Sequence, residues 1–203
     1  MREIRGKKAL VTGAASGIGR AIAGRLAAEG VELFLVDIDE GGLAESAQTL
    51  RGAGARVVTR RCDVSDPGEI SATVSAVLKD WGGVDILVNN AGITYYGKTD
   101  EMSDEHWDRV MRVNLHSHIQ FTRELLPSLL ARREAHVLNL CSMFGLVAMP
   151  KLAAYCTTKF GLVGFSDALR AEYGRDGLGV TAMCPGFVTT KLFTSAPWLT
   201  LLS

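Results

Sequence analysis

Several things are scarce in this chain, and each scarcity removes a class of protein. Only four cysteines occur among 203 residues, and none stands at the Cys-x-x-Cys spacing of a redox or zinc motif. Cys62, Cys141, Cys156 and Cys184 lie within or beside apolar segments, so they read as buried, reduced thiols. Charge of one sign is not in excess: 22 basic side chains balance 22 acidic ones. With no basic surplus to neutralise phosphates, a general nucleic-acid binder is disfavoured. No apolar run reaches the ~18 residues that a membrane helix needs. The short apolar stretch after Lys8 is cut by Thr12-Gly13, too early for a secretory h-region. A cytoplasmic protein without nucleic-acid or membrane partners is the expectation. A hydrophobic content of 47% with balanced charge excludes disorder. With no repeat and no linker, residues 1–203 read as one domain.

Glycine is what the chain has in excess, 22 residues where ~7% would give about 14. Its placement follows from the organisation. Apolar, β-branched runs occupy Lys8–Thr12, Val31–Asp37, Arg56–Cys62, Val84–Asn89, His136–Leu140 and Val180–Cys184. Between them lie helical patterns. Ile18, Ile22 and Leu26 recur every fourth residue, and Ile70, Val74, Val77 and Trp81 form a stripe after a helix start at Ser65-Asp66-Pro67. A long helical segment begins near Ser103 and is bent or shortened by Pro127; another runs from about Tyr155 to Gly174. Such alternation implies an α/β fold, a doubly wound parallel sheet covered on both faces.

Thr12-Gly13-Ala14-Ala15-Ser16-Gly17-Ile18-Gly19 follows the first strand and opens the first helix. Small residues permit a tight turn, and Gly17 and Gly19 remove side chains that would block a pyrophosphate. The helix N-terminus offers that anion unpaired N–H groups and partial positive charge. The spacing is GxxxGxG rather than GxGxxG, and no Gly-Lys-Ser/Thr follows to make a Walker loop. Asp37 ends the second strand, where a carboxylate holds both ribose hydroxyls and repels a 2′-phosphate. Neither Ser16 nor Ile38 supplies a cation for that phosphate. NAD is therefore expected over NADP, and Asp39 remains available to cap the next helix.

Tyr155 and Lys159 stand at i and i+4, on one helical face. Ser142 ends the fifth strand, Asn89-Asn90-Ala91-Gly92 ends the fourth, and Asn114 lies in the helix that follows. The carboxyl ends of parallel strands converge on one crevice, so these groups can meet there. Other chemistries are disfavoured. His116 and His118, at i and i+2 on a helix, point apart and make no metal pair. His106 and His136 lack acidic or cysteine partners at ligand spacing, no G-x-S-x-G elbow occurs, and Arg60-Arg61 reads as a solvated strand end. No metal site is expected.

Taken together, Thr12-Gly13…Gly17-Ile18-Gly19, Asp63-Val64, Asn89-Asn90-Ala91-Gly92, Asn114, Ser142, Tyr155…Lys159 and Pro185-Gly186…Thr190 resemble the short-chain dehydrogenase/reductase family. Seven stations agree in order, from Lys8 to about Thr190. The resemblance implies hydride transfer between NAD and a secondary alcohol or ketone. Tyr155 would be the acid–base, with its phenolate stabilised by Lys159, which would also hold the nicotinamide ribose. Ser142 would steady the substrate oxygen, and Asn114 would hold a water relaying protons from Lys159. Asp63 and Val64 would meet the adenine, and Asn90, Ala91 and Gly92 would line the adenosine side. Pro185, Gly186, Val188 and Thr190 would surround the nicotinamide. Asn89 reads instead as a structural hydrogen bonder at a strand end.

Tyr95, Tyr96, Met143, Phe144, Leu146, Val147, Ala148 and Met149 suggest an apolar pocket for a bulky or hydrophobic substrate. The family implies strand order 3-2-1-4-5-6-7, but no β-like run follows Cys184. The expectation is therefore 3-2-1-4-5-6, with residues 191–203 as a partial substrate lid or tail and Val180–Cys184 as an apolar edge needing cover. Homodimers or homotetramers through the helices bearing Asn114 and Tyr155 are implied by the family. A catalytically idle NAD-binding scaffold, suggested by the short C-terminus, is the alternative.

Overall fold

Parallel strands cannot be joined by tight hairpins, so each consecutive pair of strands here is joined by a crossover that carries helix. The computed structural model describes residues 3–188. Six strands, β1 (Lys8–Thr12), β2 (Glu32–Asp37), β3 (Val57–Arg61), β4 (Ile86–Asn89), β5 (Ala135–Leu140) and β6 (Leu178–Met183), fall within two residues of the apolar runs. They form one sheet, ordered β3-β2-β1-β4-β5-β6, and every neighbouring pair is parallel. The described sheet thus ends at β6; the proposed lid or tail, residues 191–203, lies outside the described residues.

Among the described residues six α-helices cover the sheet: α1 (Gly17–Ala28), α2 (Glu40–Gly52), α3 (Pro67–Trp81), α4 (Asp104–Met111), α5 (Ser117–Leu130) and α6 (Ala153–Tyr173). Successive strand residues point to opposite faces, and the two cores divide accordingly. Leu10, Phe34, Val36 and Leu87 pack with Ile70 and Val74 of α3 and with Phe121 and Leu125 of α5. Ala9, Val11, Leu33 and Leu35 pack with Ala23 of α1 and with Leu43 and Ala47 of α2. Burial on both faces is why the central strands β1, β2 and β4 are nearly continuous apolar runs, whereas β3, β5 and β6 carry polar residues.

Helix ends follow local chemistry. The Asp66 carboxylate accepts from Gly68 N and Glu69 N with Pro67 in the first turn of α3, and Gly82, at φ +64°, ends that helix. Asp39 caps α2 by accepting from Gly42 N. Pro127 is accommodated inside α5, which stops three residues later at Leu130. Between α4 and α5 the helix widens into a π turn over Arg112–His116, which no sequence pattern announced.

Candidate active site

The carboxyl ends of the strands open into a cleft of about 770 Å³. The loop after β1 forms one rim, with Gly13 and Gly17 at φ +67° and +55°, a conformation that favours glycine. Two side chains fix this loop to β4. Thr12 Oγ1 accepts from Asn90 N at 3.0 Å and Ala91 N at 3.1 Å. Asn90 Nδ2 donates to Thr12 O at 2.9 Å and Gly13 O at 3.0 Å. Asn90 is thus a loop clamp as well as a lining residue.

The expectation for Gly19 needs correction. Gly19 is buried, and a Cβ there would lie 2.1 Å from Gly13 O. Its missing side chain makes room for the protein's own backbone, not for a ligand. Ser16, Gly17 and Ile18 do line the cleft. Ser16 is the N-cap of α1 but its side chain makes no capping bond, so the first-turn N–H groups are not satisfied by it.

Asp37 and Ile38 also face the cleft. Asp37 Oδ2 accepts from Ala15 N at 2.9 Å and Oδ1 from Asp39 N at 3.0 Å, which leaves each oxygen a further lone pair. Arg61 stands opposite Asp37 in the ladder, but its guanidinium is engaged by Glu69 at 2.9 Å and Glu40 at 3.8 Å. Asp63 and Val64 form the neighbouring wall. Partial burial disfavours charge on Asp63, yet hydrogen bonds from Ser65 outweigh it and hold the carboxyl below its usual range. Small loop residues, an open helix start and a ribose-ready carboxylate fit a dinucleotide.

Across the cleft, Ser142, Tyr155 and Lys159 come together. The Ser142 side chain is close enough to Tyr155 to influence its phenol, and Ser142 Oγ accepts from Phe144 N at 3.2 Å. Lys159 is 3% exposed; its Nζ donates to Leu140 O at 2.7 Å and sits 5.6 Å from the Tyr155 ring centroid. Gly145 lets the turn after Ser142 press against α6, since a Cβ there would lie 2.7 Å from Lys159 O. Asn114 differs from expectation. It is fully buried in the π turn, and its side chain clasps Ile93, accepting from N and donating to O, each at 2.8 Å. The side-chain amide therefore orients the segment after Gly92 instead of facing the cleft.

Pocket walls follow the sequence only in part. Tyr95, Tyr96 and Phe144 line the cleft, whereas Leu146, Val147, Ala148 and Met149 are exposed to solvent and Met143 is not a lining residue. Main-chain direction after the short turn at Met143–Gly145 carries that segment outward. Phe144 meets Tyr155 and Phe187 edge-on at 6.5 and 6.0 Å, and Tyr95 stacks on His106 at 5.3 Å. His106, Arg109 and Phe187 are lining residues that sequence patterns did not single out. Pro185, Gly186 and Val188 line the cleft as expected; Thr190 lies outside the described residues.

The sequence pattern of the short chain dehydrogenases matches residues 7–197. The chain belongs to this family. A relative from Streptomyces violaceoruber, provisionally named ketoacyl reductase 1 of the granaticin polyketide synthase, is 45% identical over 91% of this chain and 68% of its own length. D-beta-hydroxybutyrate dehydrogenase of Cupriavidus necator is 37% identical over 93% of this chain and 73% of that protein. A short chain dehydrogenase/reductase from Burkholderia phymatum, solved with NAD, superposes with a TM-score of 0.91 at 37% identity, covering 95% of this chain and 69% of the other. A variant of actinorhodin polyketide ketoreductase, solved with NADPH, gives 0.90 at 41% identity, covering 96% and 76%. The protein is accordingly an oxidoreductase of CH–OH groups in a family that binds nicotinamide cofactors.

In this short chain dehydrogenase the electrostatics are dominated by burial. Burial pushes Lys159 down to about 8, so the ammonium is charged at neutral pH. Burial also raises the Tyr155 phenol, and the neighbouring Ser142 hydroxyl only partly opposes this. The expected net lowering of the phenol by Lys159 is therefore not what the protein alone provides. Lysine sheds its proton at lower pH than the phenol does, so its charge has gone before the phenol titrates. No helix is long and apolar enough to cross a membrane, and no metal-binding cluster occurs among the described residues.

His118 stands behind the cleft, 1% exposed, its Nε2 donating to Ala91 O at 2.8 Å. Burial and the Lys159 charge push it down to about 3. A neutral His118 stabilises the fold fully above the unfolded value of 6.5, and this contribution is lost as pH falls towards 3. At pH 4.5 the loss is roughly 3 kcal/mol, two pH units below 6.5 at about 1.36 kcal/mol each. Urea unfolding of the wild type should show that extra loss between pH 7 and 4.5 relative to His118→Gln; equal losses would refute the assignment.

Proposed function

We propose that this protein is an NAD-dependent oxidoreductase interconverting a bulky or hydrophobic secondary alcohol and its ketone. The observation that carries the reading is the convergence of Ser142, Tyr155 and the Lys159 ammonium on one cleft that continues to the glycine loop. Gly13, Ser16, Gly17 and Ile18 would hold the pyrophosphate and Asp37 the adenosine ribose. Asp63 and Val64 would flank the adenine, with Asn90, Ala91 and Gly92 alongside. Tyr155 and Lys159 would hold the nicotinamide ribose, with Pro185, Gly186, Val188 and Thr190 near the ring. When bound, the nicotinamide accepts hydride in oxidation and supplies it in reduction.

The residues do the rest. Ser142 Oγ orients the substrate oxygen and stabilises charge developing there. Tyr155 gives that oxygen a proton in reduction and takes one in oxidation. At neutral pH the phenol is protonated and Lys159 charged, the state that donates to a carbonyl. Asn114 would serve a water relay from Lys159 through the main chain of the π turn, since its side-chain amide is engaged by Ile93. Tyr95, Tyr96, Phe144 and Phe187 give the substrate end aromatic walls.

Tyr155→Phe should lower turnover by at least ~10³-fold, within the range of general acid–base catalysis, while NAD affinity changes less than threefold. Initial rates on a panel of secondary alcohols, with cofactor binding by fluorescence, measure both. Near-normal turnover in the variant sinks the mechanism, and turnover confined to small polyols sinks the hydrophobic pocket.

Cofactor choice rests on Asp37 and the uncharged Ile38 beside it. The double variant Asp37→Ser, Ile38→Arg should move the NAD/NADP ratio of kcat/KM towards NADP by about 100-fold or more, since a repelling carboxylate is replaced by a phosphate partner. A wild-type ratio that already favours NADP would overturn the preference.

The outward face of α6 supports self-association. Thr157, Phe160, Gly161, Gly164 and Ala168 form an exposed stripe of small residues around one large ring, at spacings that share a helical face. A homodimer or homotetramer through this face and the adjoining α5 is the proposed assembly. Light scattering should give a multiple of 21.8 kDa for the wild type and about 21.8 kDa for Phe160→Glu; a monomeric wild type contradicts it.

A further inference from the structure

β5 and β6 are in register through the pair Leu140 and Met183, and on both strands the next residue is a cysteine. The ladder continues past its formal end, because Cys141 N donates to Met183 O at 2.8 Å. Matching positions on parallel strands project to the same face, so the ladder sets the Cys141 and Cys184 side chains beside each other at the ends of neighbouring strands. Adjacent strands lie about 4.8 Å apart, inside the roughly 4.4–6.8 Å between Cα atoms that a disulfide spans. Cys141 is buried, while Cys184 is partly exposed. The other two cysteines stand elsewhere, Cys62 after β3 and Cys156 within α6. Neither Cys141 nor Cys184 has a part in the chemistry proposed above.

We propose that Cys141 and Cys184 form a redox pair that closes into a disulfide across the ends of β5 and β6 when the protein meets hydrogen peroxide. Cys184, the more accessible sulfur, is oxidised first: the peroxide O–O bond breaks, Cys184 becomes a sulfenic acid, and one water leaves. The Cys141 sulfur then attacks Cys184, the S–S bond forms, and the sulfenic oxygen departs with the Cys141 proton as a second water. In total two thiols lose two electrons and two protons, and one peroxide becomes two waters. Burial holds the Cys141 thiol up to about 12, although the Lys159 ammonium opposes this, so the second step is slow.

The link would act on the cleft through both neighbours. Cys141 is joined directly to Ser142, and Cys184 to Pro185, whose carbonyl already accepts from Met143 N at 2.9 Å. Drawing the two sulfurs together to the roughly 2.05 Å of a disulfide shifts the segments that carry Ser142 and the Pro185-Gly186 wall. A displacement of that order misaligns reacting groups.

Tryptic digestion of the full chain makes the test direct, because each cysteine falls in its own peptide: 62–79, 134–151, 152–159 and 176–191. After peroxide treatment and alkylation, mass spectrometry should find 134–151 joined to 176–191, two hydrogens lighter than their sum and separated by dithiothreitol. Turnover should fall at least tenfold and return with dithiothreitol, whereas Cys184→Ser keeps its turnover under the same treatment. The proposal is overturned by links through Cys62 or Cys156, or by added oxygens on 176–191 without a link. A quantitative link that leaves turnover unchanged, or equal loss in Cys184→Ser, overturns the coupling to the cleft. The cross-link itself is read without any assay of activity, so its failure is separable from failure of the oxidoreductase mechanism.

Discussion

A single buried ammonium constrains everything around it. Lys159 is 3% exposed, and a cation removed from water must be met by directed dipoles and by neighbours that do not compete for charge. The direct partner is the Leu140 carbonyl at 2.7 Å, freed for this purpose because β5 ends there. The neighbours are kept neutral. His118 is pushed down to about 3, and the Cys141 thiol up to about 12. One charge is thus retained among three titratable groups, and it is the one beside the Tyr155 ring. Gly145 completes the arrangement by letting the turn after Ser142 reach the α6 backbone at Lys159. Strand end, turn and helix are therefore fixed relative to one another by the need to hold this cation.

Legibility in the sequence follows the range of the interaction. Strands buried on both faces have to be apolar along nearly their whole length, as β1, β2 and β4 are, and runs enriched in β-branched and apolar residues marked all six strands within two residues. Helix starts were equally legible, because Asp39 and Asp66 cap through contacts two or three residues away. What escaped depends on residues distant in the chain. The clamp between Asn90 and the Thr12–Gly13 backbone spans 78 positions, and the Asn114 clasp of Ile93 spans 21. The π turn around Asn114 has no composition of its own. The outward course of Leu146–Met149 is set by a main-chain direction that apolar content alone does not encode, which is why four apolar residues there line nothing.

Specificity towards the adenosine ribose shows how a local backbone feature prepares a side chain. The Asp37 carboxylate is oriented by two N–H groups, from Ala15 in the glycine loop and Asp39 at the start of α2. Orientation by fixed donors reduces the rotamer entropy lost on binding and leaves the remaining lone pairs directed outward. Arg61, the nearest ladder partner able to neutralise a 2′-phosphate, is already paired with two glutamates. Retention of those pairs is a physical reason for the proposed preference for NAD, beyond the sign of Asp37 itself.

The glycines separate into two groups once neighbours are considered. A Cβ on Gly13, Gly19 or Gly145 would come within 2.1–2.7 Å of protein atoms, so the fold itself demands glycine at these positions. Gly92 and Gly186 are different. A Cβ on Gly92 would make only ordinary contacts, the nearest at 3.5 Å to Asn114 Oδ1, and one on Gly186 would meet nothing within 4 Å. Neither has a positive φ, so backbone strain does not require glycine there either. Both line the cleft. Where the protein leaves room for a side chain and the chain still places none, the space is most simply kept for something that is not protein. The proposed nicotinamide cofactor would lie against Gly92 and Gly186, while Gly19 serves the loop.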